Sequence, residues 1–286
     1  MITLVRRITA VCALGAALSA LAACSAPEGT TRAPLPAPSA TAATSPSARP
    51  PTLAPGPAGT TPVFEHGPRT GEKTVALTFD ADMTADQGPR AVRGERFDNP
   101  GLIAALRELK VPATVFMTGR WAEEYPEQAR SIGRDGLFEV ANHSYSHYAF
   151  TDDCYGLRTI GEERMRADVE RAYAAFRKVG VRDAMPYFRF PGGCFDRQVL
   201  RALTPLGVTA VQWDVVSGDA FATDADAVAE EVLGGVRPGS VVVLHCTRSA
   251  APTTERVVRS VVPKLRAEGF RLVKVSELIG AASGRR

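Results

Sequence analysis

The sequence predicts an α/β protein, a barrel of parallel strands or a distorted form of one, and three observations carry the prediction. Seven short β-rich runs follow one another from residue 74 onward. Helical stretches separate them, the spacing that parallel strands joined by right-handed crossovers require. Polar residues able to do chemistry collect where the runs end, as they do at the carboxyl face of a β/α barrel.

In chain order the expected strands are 74–80, 113–119, 138–144, 187–193, 209–215, 240–246 and 271–278, each rich in β-branched or aromatic residues. The helical candidates between them are 100–110, 121–134, 160–179, 196–206, 224–233 and 252–268. No internal repeat is visible.

The segment before the first strand is of another kind. Arg6 and Arg7 precede an apolar stretch, 8–20, that ends in Leu21-Ala22-Ala23-Cys24. This predicts an export signal over 1–23, and it resembles the bacterial lipobox, in which the cysteine becomes the acylated first residue. Residues 24–62 are dominated by Ala, Pro, Ser and Thr, too poor in large apolar side chains to offset their ordering entropy, and are expected to form an extended tether. A globular domain over 63–286 then follows. Lipid, tether and domain together predict a protein held on the outer face of a membrane, in the cell envelope; a monomer is expected.

Composition narrows the function. The 286 residues are 45% hydrophobic and 23% charged, enough apolar material for a sizeable core. A formal net charge of only +3 argues against a nucleic-acid binder held by phosphate contacts. Outside the N-terminal stretch no apolar run reaches the roughly 18 residues that a membrane span needs.

The residues at the strand ends carry the chemistry. Asp80 and Asp82 close the first run, and acids two apart in extended chain point to the same side. The third run ends Asn142-His143-Ser144-Tyr145-Ser146-His147; if the loop coils into a helical turn, both imidazoles face one point, a common way to hold a divalent metal. The sixth run delivers His245 after an apolar stretch. Three of the four histidines thus stand at strand ends. The fourth run carries Arg189-Phe190-Pro191-Gly192-Gly193; the fifth ends through Asp214 toward Asp219, and either aspartate also suits a turn or a helix cap. The long segment 83–97 carries Arg90, Arg93 and Arg96 and is expected to cross the catalytic face.

In this order and spacing the motifs resemble those of the polysaccharide deacetylase family, the NodB homology domain of carbohydrate esterase family four, over about residues 72–280. The resemblance implies a distorted (β/α)7 barrel and metal-dependent removal of acetyl groups from sugars. Asp80 matches the catalytic base, and Arg189 resembles the arginine that holds it. Asp82, His143 and His147 match the Asp-His-His metal set, His245 the catalytic histidine, and Asp219 the aspartate that orients it. Gly192 stands where tyrosine is common, and its N–H matches the oxyanion donor. Three further departures occur: Ala81 separates two aspartates that the family carries side by side, Ala220 replaces a tryptophan of the acetyl pocket, and Val243 replaces a leucine. Column matching alone would put Ala81 in the metal position, so Asp82 is assigned from the alternation of side chains. Phe221 or Trp213 is left to wall the pocket.

The chemistry asks for these residue types. A divalent ion, zinc first with cobalt, nickel or manganese as alternatives, polarises the carbonyl. Asp80 then serves as base and His245 as acid, aided by the Gly192 N–H. With Cys12 in the signal and Cys24 lipidated, Cys154 and Cys194 are the expected disulfide pair in an oxidising compartment. Cys246 neighbours His245 but points to the opposite strand face, which disfavours a thiol hydrolase. The expected function is deacetylation of an extracellular N-acetylglucosamine-containing polysaccharide such as peptidoglycan. An O-acetyl esterase and a non-catalytic glycan-binding lipoprotein are the alternatives.

Overall fold

The computed structural model describes residues 49–284. The expected signal 1–23, the lipid site Cys24 and the tether as far as residue 48 lie outside the described residues.

Among the described residues there are nine strands: β1 (Val63–Phe64), β2 (Thr74–Ala81), β3 (Ala113–Met117), β4 (Phe138–Asn142), β5 (Tyr187–Phe188), β6 (Thr209–Val211), β7 (Val215–Val216), β8 (Ser240–His245) and β9 (Arg271–Leu272). Between and after them run α1 (Gly88–Val92), α2 (Pro100–Glu108), α3 (Gly119–Glu124), α4 (Pro126–Gly133), α5 (Glu162–Lys178), α6 (Arg197–Leu203), α7 (Ala225–Gly235), α8 (Thr254–Ala267) and α9 (Val275–Ala282). All pairings between strands are parallel, in the order β1-β6-β5-β4-β3-β2-β8-β7, with β9 added to the start of β2. No helix among the described residues is long and apolar enough to cross a membrane.

The barrel closes without a continuous ladder. The expected strand 209–215 is broken at Gln212-Trp213-Asp214, so β6 pairs with β5 and β1 at one edge while β7 pairs with β8 at the other. Asp214 explains the break: its carboxylate accepts from the Val241 N–H (2.7 Å) and the Ser240 hydroxyl (2.7 Å), standing in for missing ladder bonds. It is a structural residue.

Other boundaries also move for local reasons. The expected strand 187–193 ends at Phe188, because Pro191 has no N–H to give and Gly192 and Gly193 turn left-handed. Pro126 divides the helix expected over 121–134 into α3 and α4. Only Arg271–Leu272 of the strand expected over 271–278 pairs as a strand; Val275, Leu278 and Ile279 follow helical spacing. As α9 they pack with Ala76 and Phe116 inside the barrel, and the Val275 N–H bonds to Thr114 at the start of β3, so α9 closes the amino end.

The expected tether also ends early. Within 49–62 the Leu53 N–H bonds to Thr209, the Pro51 carbonyl accepts from the Tyr187 hydroxyl (2.8 Å), and the Thr61 N–H bonds to the Leu200 carbonyl. Thr60 and Thr61 are buried. Its backbone and a few side chains dock, which its Pro-rich composition does not announce. A chain starting at residue 63 is therefore expected to unfold more easily than one starting at 49, by about 1–3 kcal/mol in urea titrations.

Candidate active site

Strand alternation sets out the site. Along β2, Val75, Leu77, Phe79 and Ala81 enter the core beneath the helices, while Ala76 and Asp80 face inward. Ala81 is fully buried and still paired with Met117, so its side chain points away from the site. Asp82 comes back to the side of Asp80.

Asp80 and Arg189 form a buried pair. The guanidinium donates to one Asp80 oxygen through Nη1 (2.7 Å) and to the carbonyls of Val211 (3.2 Å) and Gln212 (3.4 Å). It also lies on the Phe116 ring at 3.9 Å and near Trp213 at 5.3 Å. Burial alone would raise the Asp80 pKa, but the charges of Arg189, His143 and His245 outweigh it and hold the carboxyl below its usual range.

The histidines converge, though not through a helical turn. Ser144 and His147 adopt left-handed backbone (φ 67° and 55°) and fold the chain back on itself. Asn142 accepts from the Ser144 N–H, Ser144 Oγ accepts from the His147 N–H, and Asp168 of α5 accepts from the N–H groups of Tyr145 and Ser146. The imidazoles then stand 4.9 Å apart. His143 donates through Nδ1 to the Arg189 carbonyl (2.9 Å), which leaves Nε2 toward Asp80 Oδ2 at 3.7 Å. His147 Nε2 lies 3.6 Å from Asp82 Oδ2. Burial outweighs the nearby Asp82 charge and pulls His147 down to about 4, so it is neutral at physiological pH.

Opposite them stands a third acid–imidazole pair. Asp219 accepts from His245 Nδ1 (2.7 Å), the His245 N–H (2.8 Å), Ser217 Oγ (2.9 Å) and Thr254 Oγ (2.7 Å). Burial favours neutral groups here, yet the hydrogen bond and charge of Asp219, with Asp82 and Asp80 beyond, push His245 up to about 10. His245 is the register neighbour of Asp80 across β2 and β8. Two groups with opposed affinities for a proton thus stand side by side.

The remaining expected residues fall as follows. Cys154 and Cys194 are disulfide-bonded. Gly192 has φ 67°, and a Cβ there would lie 2.6 Å from Cys154 Sγ, so the bridge fills the space a larger residue would need. Cys246 is buried in the outer core with its thiol pushed up to about 12, which removes it as a nucleophile. Phe221 is 83% exposed and walls nothing, whereas Trp213 packs on Arg189. The basic segment is largely neutralised: Arg90 pairs with Glu95, and Arg96 with Asp98. Asp168 in α5, Thr254 at the start of α8 and Thr247 just past β8 carry no signal in the sequence, since a lone Thr or Asp away from the chemistry-bearing motifs makes no pattern.

The donor set suits a divalent ion: a carboxylate and two imidazoles, one neutral by burial and one with Nε2 freed by its Nδ1 bond. Among the described residues no group of three or more His, Cys, Asp or Glu side chains stands close enough together to grip an ion as placed, so the fit lies in the kinds of donor rather than in a formed cage. The arrangement is one of open acid–imidazole contacts.

The barrel brings to its carboxyl face a carboxylate and an imidazole with opposed affinities for a proton, an arrangement that suits a hydrolase. The polysaccharide deacetylase model matches residues 67–211, and the chain belongs to that metal-dependent family. It is 30% identical over 201 residues to a chitooligosaccharide deacetylase of Azorhizobium caulinodans, covering 66% of this chain and 90% of that one. A peptidoglycan-N-acetylglucosamine deacetylase of Bacillus cereus is 26% identical over 213 residues, 74% of this chain and 70% of the relative. Among solved structures, a peptidoglycan N-acetylglucosamine deacetylase superposes with TM-score 0.63 at 24% identity, over 78% of this chain and 95% of that one, a likeness of fold. Asp219 and His245 lie beyond the stretch matched by the family model, so their place in the site rests on geometry.

Proposed function

We propose that the chain is a metal-dependent deacetylase of N-acetylglucosamine-containing glycan, peptidoglycan foremost, exported and anchored through a lipid on Cys24. The observation that carries this reading is the pair formed by Asp80, held ionised, and His245, held protonated, on neighbouring strands. Environments that push two groups apart in pKa assign base and acid. The names of the curated relatives support an acetamido sugar as substrate.

A divalent ion held by Asp82, His143 and His147 would supply Lewis acidity at the acetyl carbonyl, with zinc the first choice and cobalt, nickel or manganese alternatives. Asp80 takes a proton from the attacking water while Arg189 keeps the carboxylate ionised and aimed. The water oxygen bonds to the carbonyl carbon, and the Gly192 N–H faces the oxyanion. His245, aligned by Asp219, then protonates the nitrogen as the carbon–nitrogen bond breaks, and acetate and the amino sugar leave.

The test is acetate release by the purified full chain after chelation and re-addition of zinc or cobalt. N-Acetylglucosamine oligomers, peptidoglycan fragments and acetylated xylan are offered in parallel. Metal-dependent release from the first two supports the reading, preference for xylan makes the protein an ester hydrolase, and no release from any of them with metal bound overturns it.

The pH profile carries a second expectation. Activity needs protonated His245 and is expected to fall on the alkaline side as that proton is lost. In Asp219→Asn the counter-charge is gone, so the alkaline limb of kcat/KM moves to lower pH. The stability contributed by the pair follows the same sign: full below the ordinary histidine value of about 6.5, it is lost as pH rises through about 10. An unmoved limb in Asp219→Asn would assign that proton elsewhere.

A further inference from the structure

Asp82 stands one residue beyond the end of β2, where no neighbouring strand holds it. Its backbone N–H donates instead to the hydroxyl of Thr247 (3.1 Å). That hydroxyl has one proton, and it is directed at Asp82 Oδ1, with the Asp82 carbonyl also 3.1 Å away. One side chain therefore grips Asp82 by its backbone and its carboxylate.

The pairing follows from the strand register. Asp80 lies beside His245, and the Cys246 N–H donates to the Asp80 carbonyl (2.7 Å), so the two chains leave the sheet together. Two residues further along each, Asp82 meets Thr247. Thr247 is buried, which shields the bond from water. With Oδ1 engaged, Oδ2 is the oxygen left facing His147 Nε2 at 3.6 Å.

We propose that Thr247 is the positioning residue that makes the displaced Asp82 a metal ligand, presenting Oδ2 alone toward a divalent cation shared with His143 and His147. The inserted Ala81 moves the second aspartate off the ladder, and Thr247 supplies the restraint that the ladder would have given. This rests on the reading of Asp82, His143 and His147 as the metal set. Partners that orient a metal ligand typically govern affinity by about 10- to 100-fold.

The experiment measures zinc affinity of the full chain by competition with a chromogenic chelator, and the visible spectrum of the cobalt-loaded protein. Thr247→Val keeps the shape and removes the hydroxyl, whereas Thr247→Ser keeps the hydroxyl. Thr247→Val is expected to bind zinc about 10- to 100-fold more weakly and to change the cobalt bands, and Thr247→Ser to restore both. Thermal unfolding of the metal-free variants reports the fold, and Thr247→Ala replaces Thr247→Val if the latter does not fold. Parent-like affinity and spectrum in the hydroxyl-free variant, with Asp82→Ala impaired, would overturn the role of Thr247 and leave the metal set standing. Parent-like affinity in Asp82→Ala and His147→Ala, or no zinc binding by the parent, would overturn the metal set and the role of Thr247 with it.

Discussion

His245→Ala is expected to lower kcat for acetate release from N-acetylglucosamine oligomers by about 10²- to 10⁴-fold, the range for losing a general acid. The departing amine is a poor leaving group unless protonated, and His245 is the imidazole that its partner holds charged. The fold should survive, because Asp219 keeps Ser217, Thr254 and a backbone N–H as donors once the ring is gone. Because Asp219 acts through His245, the double variant His245→Ala/Asp219→Asn should be little slower than His245→Ala alone. Full additivity of the two losses would show that Asp219 has a separate task.

Arg189→Met carries the largest expected effect on stability. Arg189 is fully buried and is the cation that offsets a buried Asp80, so its removal strands a carboxylate beneath the site. Removing one partner of such a pair costs about 3–5 kcal/mol, more than the pair itself contributes. Urea unfolding at neutral pH measures the loss. Arg189→Met/Asp80→Asn should regain part of it, since the stranded charge is then gone; a double variant no more stable than the single would place the cost in packing on Phe116 and in the lost carbonyl contacts.

Why some of this was legible in the sequence and some not has physical reasons. β2, β3, β4 and β8 read cleanly because buried parallel strands are nearly continuous apolar runs. The misreadings fall where a short element is decided by its neighbours. Val275, Leu278 and Ile279 suit a strand as well as a helix until the open barrel end asks for a plug, and 209–215 reads as one strand until Asp214 takes over ladder bonds. Asp80, Asp82, His143, His147, Arg189 and His245 were visible because rare or charged residues stand out at strand ends. Thr247 was not, lying 165 positions from the aspartate it holds and belonging to a common residue type. The docking of 49–62 was hidden for the opposite reason, since backbone groups do much of it.

The broken strand that joins the two edges of the sheet also dictates an order of assembly. Val63 and Phe64 pair with Ala210 and Val211, so β1 has no partner until nearly 150 further residues are in place. Residues 215 and 216 must in turn wait for β8. β8 in turn pairs with β2 across 165 residues, as Val75 does with Ser240, so loop-closure entropy is spent before the barrel can shut. The central strands β2, β3 and β4, joined by short crossovers, are free to pair first, and closure at the Gln212-Trp213-Asp214 bend comes late. Trp213 at that bend rests on Arg189, so the site's buried arginine is covered only when the last seam of the barrel has closed.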